Sequence, residues 1–319
     1  MAPTATAPDP NLTVWFAGKY TRLADAQVNI LTHALNYGTA VFEGIRGYYD
    51  ADTSELYLNR ALDHYQRWKA NCGILRLNIP HSAEELCAIT AELCRRNQFR
   101  TNIYIRPLAY KASARIGVHS DNNDAHAIVA VPFGDYFAAR EQFKAGVVSW
   151  RRVDDLAIPS RAKISGAYAN SVLAGDEAAA NGHDEAIFLN QDGHVAEGGA
   201  CNIFLARHGR LITPPVTDNI LEGITRDSII ELARHELGVE VVERPVDRSE
   251  LYICDEVFFC GTGVEILPVT HVDHRPVRDA RPGAITVRLR EMYRLATRGK
   301  LPAYRHWLQP TLAAEAVRA

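Results

Sequence analysis

Lysine is scarce in this chain: Lys19, Lys69, Lys111, Lys144, Lys163 and Lys300 are the only ones, so arginine carries nearly all of the positive charge. A lysine kept against that background is a candidate for chemistry that needs an amine able to lose its proton, which a guanidinium cannot supply. Cys-x-x-Cys pairs are absent, and Cys72, Cys87, Cys94, Cys201, Cys254 and Cys260 are scattered. That spacing excludes a dense disulfide framework and fits reduced thiols in a cytoplasm. No basic stretch followed by an apolar core opens the chain, and no apolar run approaches the length that spans a bilayer, so a membrane is not an expected partner. An excess of positive charge is missing too: with a net charge of -3 and a pI near 6.5 the chain offers no basic field, and nucleic acid is not expected either. No Gly-x-Ser-x-Gly elbow and no full Gly-x-Gly-x-x-Gly fingerprint after a strand is present. His271 and His274 flank Asp273 without a cysteine or carboxylate cluster at ligand spacing, so no metal site is expected.

What is there belongs to an ordinary globular protein: 47% hydrophobic and 23% charged residues over 319 positions. That length exceeds what one core usually organises, so two domains with a cleft for a small partner are expected. Helical and strand periodicities alternate, giving an α/β (α+β) class. Residues 1–10 read as a disordered tail, 11–135 as a small N-terminal α/β domain, 136–146 as an interdomain loop, and 147–319 as a larger C-terminal domain. No repeat or low-complexity block appears beyond the tail.

From Thr13 to Tyr49 the glycine-punctuated apolar stretches read as strands and loops. Arg60 to Cys72 is the first clear helix, with Gly73 as its stop, and a second opens at Ser82, where Glu85 completes a capping box. Ile103–Tyr110 and Ala125–Pro132 read as strands, and Val147–Trp150 begins the second half. There the reading is a helix from Tyr168 to Ala180, strands at Glu185–Leu189, Asn202–Leu205 and Leu211–Thr213, and a helix from Thr225 to Leu237 stopped by Gly238. Strands at Val239–Glu243, Glu256–Phe259 and Ile266–Val269 and a helix near Ile285–Thr297 complete it.

Among residues able to carry chemistry, Lys163 lies in Ile158-Pro-Ser-Arg-Ala-Lys-Ile-Ser-Gly-Ala-Tyr168, where small neighbours admit a bulky group. Desolvation and the nearby Arg161 would favour the neutral amine that a Schiff base requires. Taken alone, Lys163 also fits an ordinary surface lysine. Gly223-Ile-Thr225 precedes a helix and would aim free backbone N–H groups and a hydroxyl at an anion; a plain threonine N-cap fits equally. Gly261-Thr-Gly263 after a strand offers a second hydroxyl donor, Thr262. Glu197, followed by two glycines, suits either a buried cation such as a protonated pyridine nitrogen or an exposed hairpin. Arg60, at a helix start, suits a phosphate or nothing.

Taken in order, these pieces resemble the class IV, fold type IV pyridoxal-phosphate aminotransferases, and among them the branched-chain amino-acid aminotransferases. The resemblance runs through His33-Ala-Leu-Asn-Tyr-Gly-Thr-Ala-Val-Phe-Glu-Gly-Ile-Arg46, Arg60-Ala-Leu-Asp-His-Tyr-Gln-Arg67 and Tyr104-Ile-Arg-Pro107. It continues through Lys163, Tyr168, Glu197-Gly-Gly, Leu221-Glu-Gly-Ile-Thr-Arg-Asp227 and Gly261-Thr-Gly-Val-Glu265. It implies a two-domain enzyme with pyridoxal 5'-phosphate in the interdomain cleft and a ping-pong transfer from leucine, isoleucine or valine to 2-oxoglutarate. Lys163 would hold the cofactor covalently and shuttle the proton between Cα and C4′, Tyr168 would bond the 3′ oxygen, and Glu197 would bind the pyridine nitrogen. Arg60, Ile224, Thr225 and Thr262 resemble the phosphate cup, with Leu221 against the ring. Phe42, Gly44, Tyr104, Tyr136 and Gly263 resemble substrate-pocket positions, Tyr37 being contributed across a dimer interface, and Arg106 suits the distal carboxylate of glutamate. The partners implied are amino acids and 2-oxo acids, in a cytoplasmic homodimer or higher homo-oligomer.

The chain departs from the family's pattern at three places. Gly263-Val264 stand where alanines are common, Phe133 stands where tryptophan is common, and Arg115-Ile-Gly117 replaces a Gly-Met-Gly stretch. A D-amino-acid or (R)-amine aminotransferase of the same fold is therefore the alternative closest to hand. A lyase such as aminodeoxychorismate lyase comes next, and a two-domain binding protein with a decayed site is the non-enzymatic alternative. Tyr104 and Arg106 favour the branched-chain reading.

Overall fold

The computed structural model describes residues 7–134 and 142–312. Within them the chain divides into two compact units, the first formed by residues 7–134, 162–166 and 295–312 and the second by 142–161 and 167–294.

The first unit rests on an antiparallel sheet. Its strands are β1 (Thr13–Phe16), β2 (Lys19–Arg22), β3 (Ala40–Phe42), β4 (Ile45–Asp50), β5 (Glu55–Asn59), β6 (Ile103–Lys111) and β7 (Asp124–Pro132). The C-terminal strand Leu308–Pro310 adds to β5, giving the order Leu308–Pro310, β5, β4, β6, β7, β1, β2, with β3 also on β6. β6 and β7 pair from Ile103↔Pro132 to Lys111↔Asp124. Along β6 the period of two buries Ile103, Ile105 and Pro107, and turns Tyr104 and Arg106 together to the other face. The helices are α1 (His33–Tyr37), α2 (Ala61–Ile74) and α3 (Ala83–Asn97). Trp68, Tyr65, Cys72, Leu86 and Leu93 make their buried faces.

The capping box expected at Ser82 is present: its hydroxyl accepts from the Glu85 N–H at 3.1 Å while the Glu85 carboxylate accepts from the Ser82 N–H at 2.7 Å. The expected stop at Gly73 is not. α2 runs through Gly73 in right-handed geometry, and Arg76, at φ 51°, makes the left-handed turn. The short helix α1 falls where strands and loops were expected; Gly38, at φ 67°, ends it. Residues 1–6 of the expected tail lie outside the described residues, but the chain is already hydrogen bonded before position 11: Leu12 N–H donates to the Asp9 carbonyl and Ala24 N–H to that of Pro10.

The second unit holds two five-stranded sheets. Its strands are β8 (Lys144–Arg151), β9 (Glu185–Leu189), β10 (Val195–Gly198), β11 (Asn202–Arg207), β12 (Arg210–Thr213), β13 (Val241–Glu243), β14 (Glu256–Gly261), β15 (Glu265–Val269), β16 (His271–Val272) and β17 (Arg275–Pro276). The orders are β10-β9-β8-β16-β17 and β13-β12-β11-β14-β15. β8 and β9 are parallel, joined across α4 (Tyr168–Ala180), and β12 and β13 are parallel, joined across α5 (Ile224–His235). Phe143, Ile187, Leu189, Val195, Ile203, Leu205, Val257 and Phe259 form part of one apolar core. The last helix, α6 (Ala284–Thr297), is capped by buried Glu256, which accepts from the N–H groups of Ile285 and Thr286 at 3.1 and 2.8 Å. An ideal Cβ at Gly283 would lie 1.9 Å from the Glu256 carboxyl carbon, so a glycine there admits the cap.

A single cut at 136–146 therefore does not describe the units. Residues 162–166 go with the first because Val41 and Ile164 form an antiparallel bridge, and residues from 295 do so because Leu308–Pro310 pairs with β5. Among the described residues no helix is long and apolar enough to cross a membrane.

Candidate active site

In the first unit Lys163 is held by main-chain bonds on both sides. Phe42 N–H donates to the Lys163 carbonyl at 3.1 Å, Val41 bridges Ile164, and Gly166 N–H donates to the Gly38 carbonyl at 3.1 Å. The segment is thus an extra strand fragment on β3, with the lysine half-buried and its Nζ 4.8 Å from the centre of the Phe42 ring. Arg106 Cζ lies 4.5 Å from the same ring, and Arg106 Nη2 donates to the Tyr104 hydroxyl at 3.2 Å. Tyr104 fits because position 44 is glycine: an ideal Cβ there would come 2.0 Å from its hydroxyl. Lys163, Phe42, Gly44, Tyr104 and Arg106 are therefore neighbours, an amine and a guanidinium against aromatic surface. Phe133 packs on Tyr104, ring centres 5.3 Å apart.

Arg60 takes left-handed geometry (φ 50°) before α2, with its Nε 2.6 Å from Asp63 and its guanidinium over Trp307. Tyr37 is partly exposed, its hydroxyl accepting from Gly117 N–H at 2.9 Å. Tyr136 lies outside the described residues. Behind Phe42 and Gly44, buried Glu43 accepts from Arg67 at 2.7 and 2.8 Å and from His64 Nδ1 at 2.9 Å. Burial works to raise the Glu43 carboxyl, but Arg67 and His64 overcome it and hold it far below the usual carboxylate range. Burial lowers His64, so the charged pair is Glu43 with Arg67 and the imidazole is a neutral donor.

In the second unit Glu197 is 4% exposed, which rules out the hairpin reading. One carboxylate oxygen accepts from Asn202 Nδ2 and Leu221 N–H at 3.0 and 3.2 Å, and the other faces Arg152 Nη2 at 2.9 Å. Asn202 reaches Glu197 because Gly223 leaves room: a Cβ there would lie 2.0 Å from Asn202 Oδ1. Gly223 is also the N-cap of α5, so Ile224 and Thr225, both buried, stand in the first turn of that helix, where backbone N–H groups point outward along its axis. Thr262 and Gly263 lie in the turn between β14 and β15. A Cβ at the adjoining Gly261 would sit 3.6 Å from the Ala200 carbonyl, so this turn lies beside the Glu197-Gly-Gly-Ala200 segment. Gly263 faces open space, so packing does not explain its missing side chain. Tyr168 begins α4, whose first turn reaches the same segment, Ser171 O being 3.9 Å from an ideal Cβ at Gly199. The Leu221–Gly223 approach to α5, the turn after β14 and the first turn of α4 thus all lie against the Glu197–Asn202 stretch.

Arg161, expected to influence the lysine, spends its charge on Glu222 at 2.7 Å and Asp155 at 3.9 Å. Arg152 and Asn202 escaped the sequence reading. Each stands at a strand end with no periodic signal, and neither precedes a glycine-rich turn. Among the described residues no group of three or more His, Cys, Asp or Glu side chains is placed to hold a metal ion.

Three comparisons bear on this arrangement. Residues 40–272 match the family model for amino-transferase class IV. The chain is 45% identical over 297 residues, 93% of its length and 96% of the relative's, to the probable branched-chain-amino-acid aminotransferase of Aquifex aeolicus. Among solved structures it resembles the branched-chain aminotransferase of Thermoproteus uzoniensis with norvaline, at 42% identity and a TM-score of 0.89, covering 94% of this chain and 99% of that one. It also resembles the Thermobaculum terrenum branched-chain amino acid aminotransferase in its PLP form, at 39% identity and a TM-score of 0.91, covering 95% and 99%.

Proposed function

This chain belongs to the class IV aminotransferases and, within them, to the branched-chain-amino-acid aminotransferase family, and from that membership we propose which of its residues do the work. The reaction is transamination of L-branched-chain amino acids with 2-oxoglutarate, and the cofactor is pyridoxal 5'-phosphate. The donor set fits that cofactor: a half-buried amine at Lys163, a buried carboxylate at Glu197 for a protonated ring nitrogen, and a glycine-capped helix start at Ile224 for a phosphate. When bound, pyridoxal phosphate supplies an aldehyde carbon to join an amine and a ring that accepts the electrons released at Cα.

Lys163 Nζ would hold that carbon at rest and, once the incoming amino group has displaced it, would as a free amine take the proton from the substrate Cα and give it back to C4′. Glu197 accepts the ring N–H and so keeps the ring protonated. Arg60, Thr225, Thr262 and the Ile224 N–H hold the phosphate, Tyr168 the ring oxygen, and Leu221 the ring face. Phe42, Gly44, Tyr104, Tyr37, Tyr136 and Gly263 line the substrate pocket, where an aliphatic side chain needs apolar walls. Arg106, on the face of β6 that also carries Tyr104, receives the distal carboxylate of glutamate. The observation that carries this reading is Lys163 itself, pinned by its own carbonyl to Phe42 N–H with its amine directed onto the Phe42 ring.

An exposed apolar surface of Ile30, Leu35, Ile116 and Val118 beside Tyr37 supports a homodimer, and six buried free thiols support a cytoplasmic enzyme. Lys163→Ala decides the assignment. The variant is expected to melt near the parent's temperature, to lose the visible absorbance of the loaded enzyme, and to lose amino transfer from L-leucine to 2-oxoglutarate. A variant with full activity would refute it.

A further inference from the structure

The bond between Arg152 and Glu197 is costly to build and has no part in the roles assigned above. Both side chains are nearly sealed from solvent, at 8% and 4% exposure, and burying a charged pair stabilises little unless its geometry serves something else. Glu197 already accepts from Asn202 and from the Leu221 N–H on one oxygen, so packing and hydrogen bonding alone do not call for an arginine. The chain nonetheless aims one there. The register of β8 against β9 shifts between Val147 and Arg151, and Arg152 N–H then donates to the Leu189 carbonyl at 2.9 Å. Such an irregularity re-aims the side chains that follow it. The guanidinium is fixed on three sides: Nη2 on Glu197 Oε1 at 2.9 Å, Nε on the Asn219 carbonyl at 3.2 Å, and Cζ 5.6 Å from the Phe188 ring centre.

We infer that Arg152 is a positioning residue for the transfer: it locks the plane of the Glu197 carboxylate and offsets part of its charge, so that Glu197 holds a ring N–H without over-binding it. The inference rests on the role proposed for Glu197. Lone carboxylate and lone guanidinium act oppositely on a nearby ring, and in a site this dry the sum of the two is what the ring meets. The thiols of Cys201 and Cys260 also lie within reach of the Glu197 charge, and burial pushes both up, so they stay neutral. Arg152, at 2.9 Å, sets a positive side chain directly against Glu197.

The test uses the loaded enzyme and reads the pH midpoint of its visible absorbance beside its steady-state constants. Arg152→Gln leaves the Glu197 charge without its counterweight, and the midpoint is expected to rise by about one pH unit. Arg152→Lys keeps the charge but not the fork, so its midpoint stays at the parent's value while kcat falls at least about threefold with KM little changed. An unmoved midpoint in Arg152→Gln overturns the inference, as does a midpoint in Arg152→Lys displaced as far as in Arg152→Gln. Where Arg152→Gln does not fold, Arg152→Lys carries the test alone, and a lysine variant with the parent's kcat overturns it. If the parent enzyme takes up pyridoxal phosphate without a visible band, the reading of Lys163 fails first; a normal parent band with unresponsive Arg152 variants overturns this inference alone.

Discussion

Gly38 and Gly166 meet backbone to backbone: an ideal Cβ on Gly38 would lie 2.6 Å from the Gly166 Cα, and the Gly166 N–H donates to the Gly38 carbonyl. Position 38 also has φ 67°, a left-handed geometry that costs an L residue roughly 1–2 kcal/mol. Gly38→Ala is therefore expected to push the 162–166 segment off β3. Its thermal midpoint should fall by several degrees, and the absorbance of the loaded enzyme should weaken because Lys163 moves with that segment. A variant with the parent's melting curve and spectrum would show that the close approach is not needed.

Gly44 has a narrower task. Alanine there would drive the Tyr104 hydroxyl aside and break its bond from Arg106. The aliphatic substrates do not use that charge, whereas 2-oxoglutarate does under the proposed roles. kcat/KM for 2-oxoglutarate should fall about tenfold, the worth of one lost hydrogen bond to a charged group, with a smaller change for L-leucine. Equal losses for both substrates would argue that Tyr104 and Arg106 do not sort them.

Glu43 is expected to matter for stability before it matters for catalysis. Glu43→Gln removes one partner of a buried ion pair, and such losses typically cost about 3–5 kcal/mol. The folded carboxyl is held far below its unfolded value. Its contribution is therefore complete above the ordinary carboxylate range, begins to decline there, and is lost progressively as pH falls further toward the much lower folded value. Melting the parent and the variant at pH 7 and again at pH 4 should show the gap narrowing at the lower pH; a constant gap would contradict the assignment of charge to Glu43 and Arg67.

Trp15 and His126 supply an acid response of their own. The Trp15 indole N–H donates to His126 Nε2 at 3.1 Å, a bond that only an unprotonated Nε2 accepts. Burial, helped by His81 and Lys69, pushes His126 down to about 4. The unfolded chain binds this proton near the ordinary histidine value, so stability should decline as pH falls from about 6.5 toward 4. His64, lowered in the same direction by burial, adds to the decline. His126→Gln should flatten part of it, read from thermal midpoints across that window; an unchanged slope would remove His126 from the account.

The elements most legible in the sequence were those whose cause is local. Ser82 and Glu85 lie three residues apart, so the capping box declares itself, and the alternation along Ile103–Lys111 needs no partner to be seen. Gly73 misled because a glycine inside a helix and one ending it look alike until Arg76 is seen taking the left-handed turn. α1 was missed because its five residues are too few to establish a period. The C-terminal strand was missed because its partner, β5, lies some 250 positions earlier.

By itself the sequence determined the class of the fold and the ordered motifs around Lys163, Glu197, Gly223 and Gly261, because those depend on short spacings and on residues with few alternative uses. Tertiary structure decided which charges face one another. Arg161, two positions from Lys163, turned to Glu222 and Asp155, while Arg152, 45 positions from Glu197, came to its carboxylate. A charge acts through distance in space, and the sheet register that brings Arg152 to Glu197 is set by packing across strands that the linear order of residues does not display.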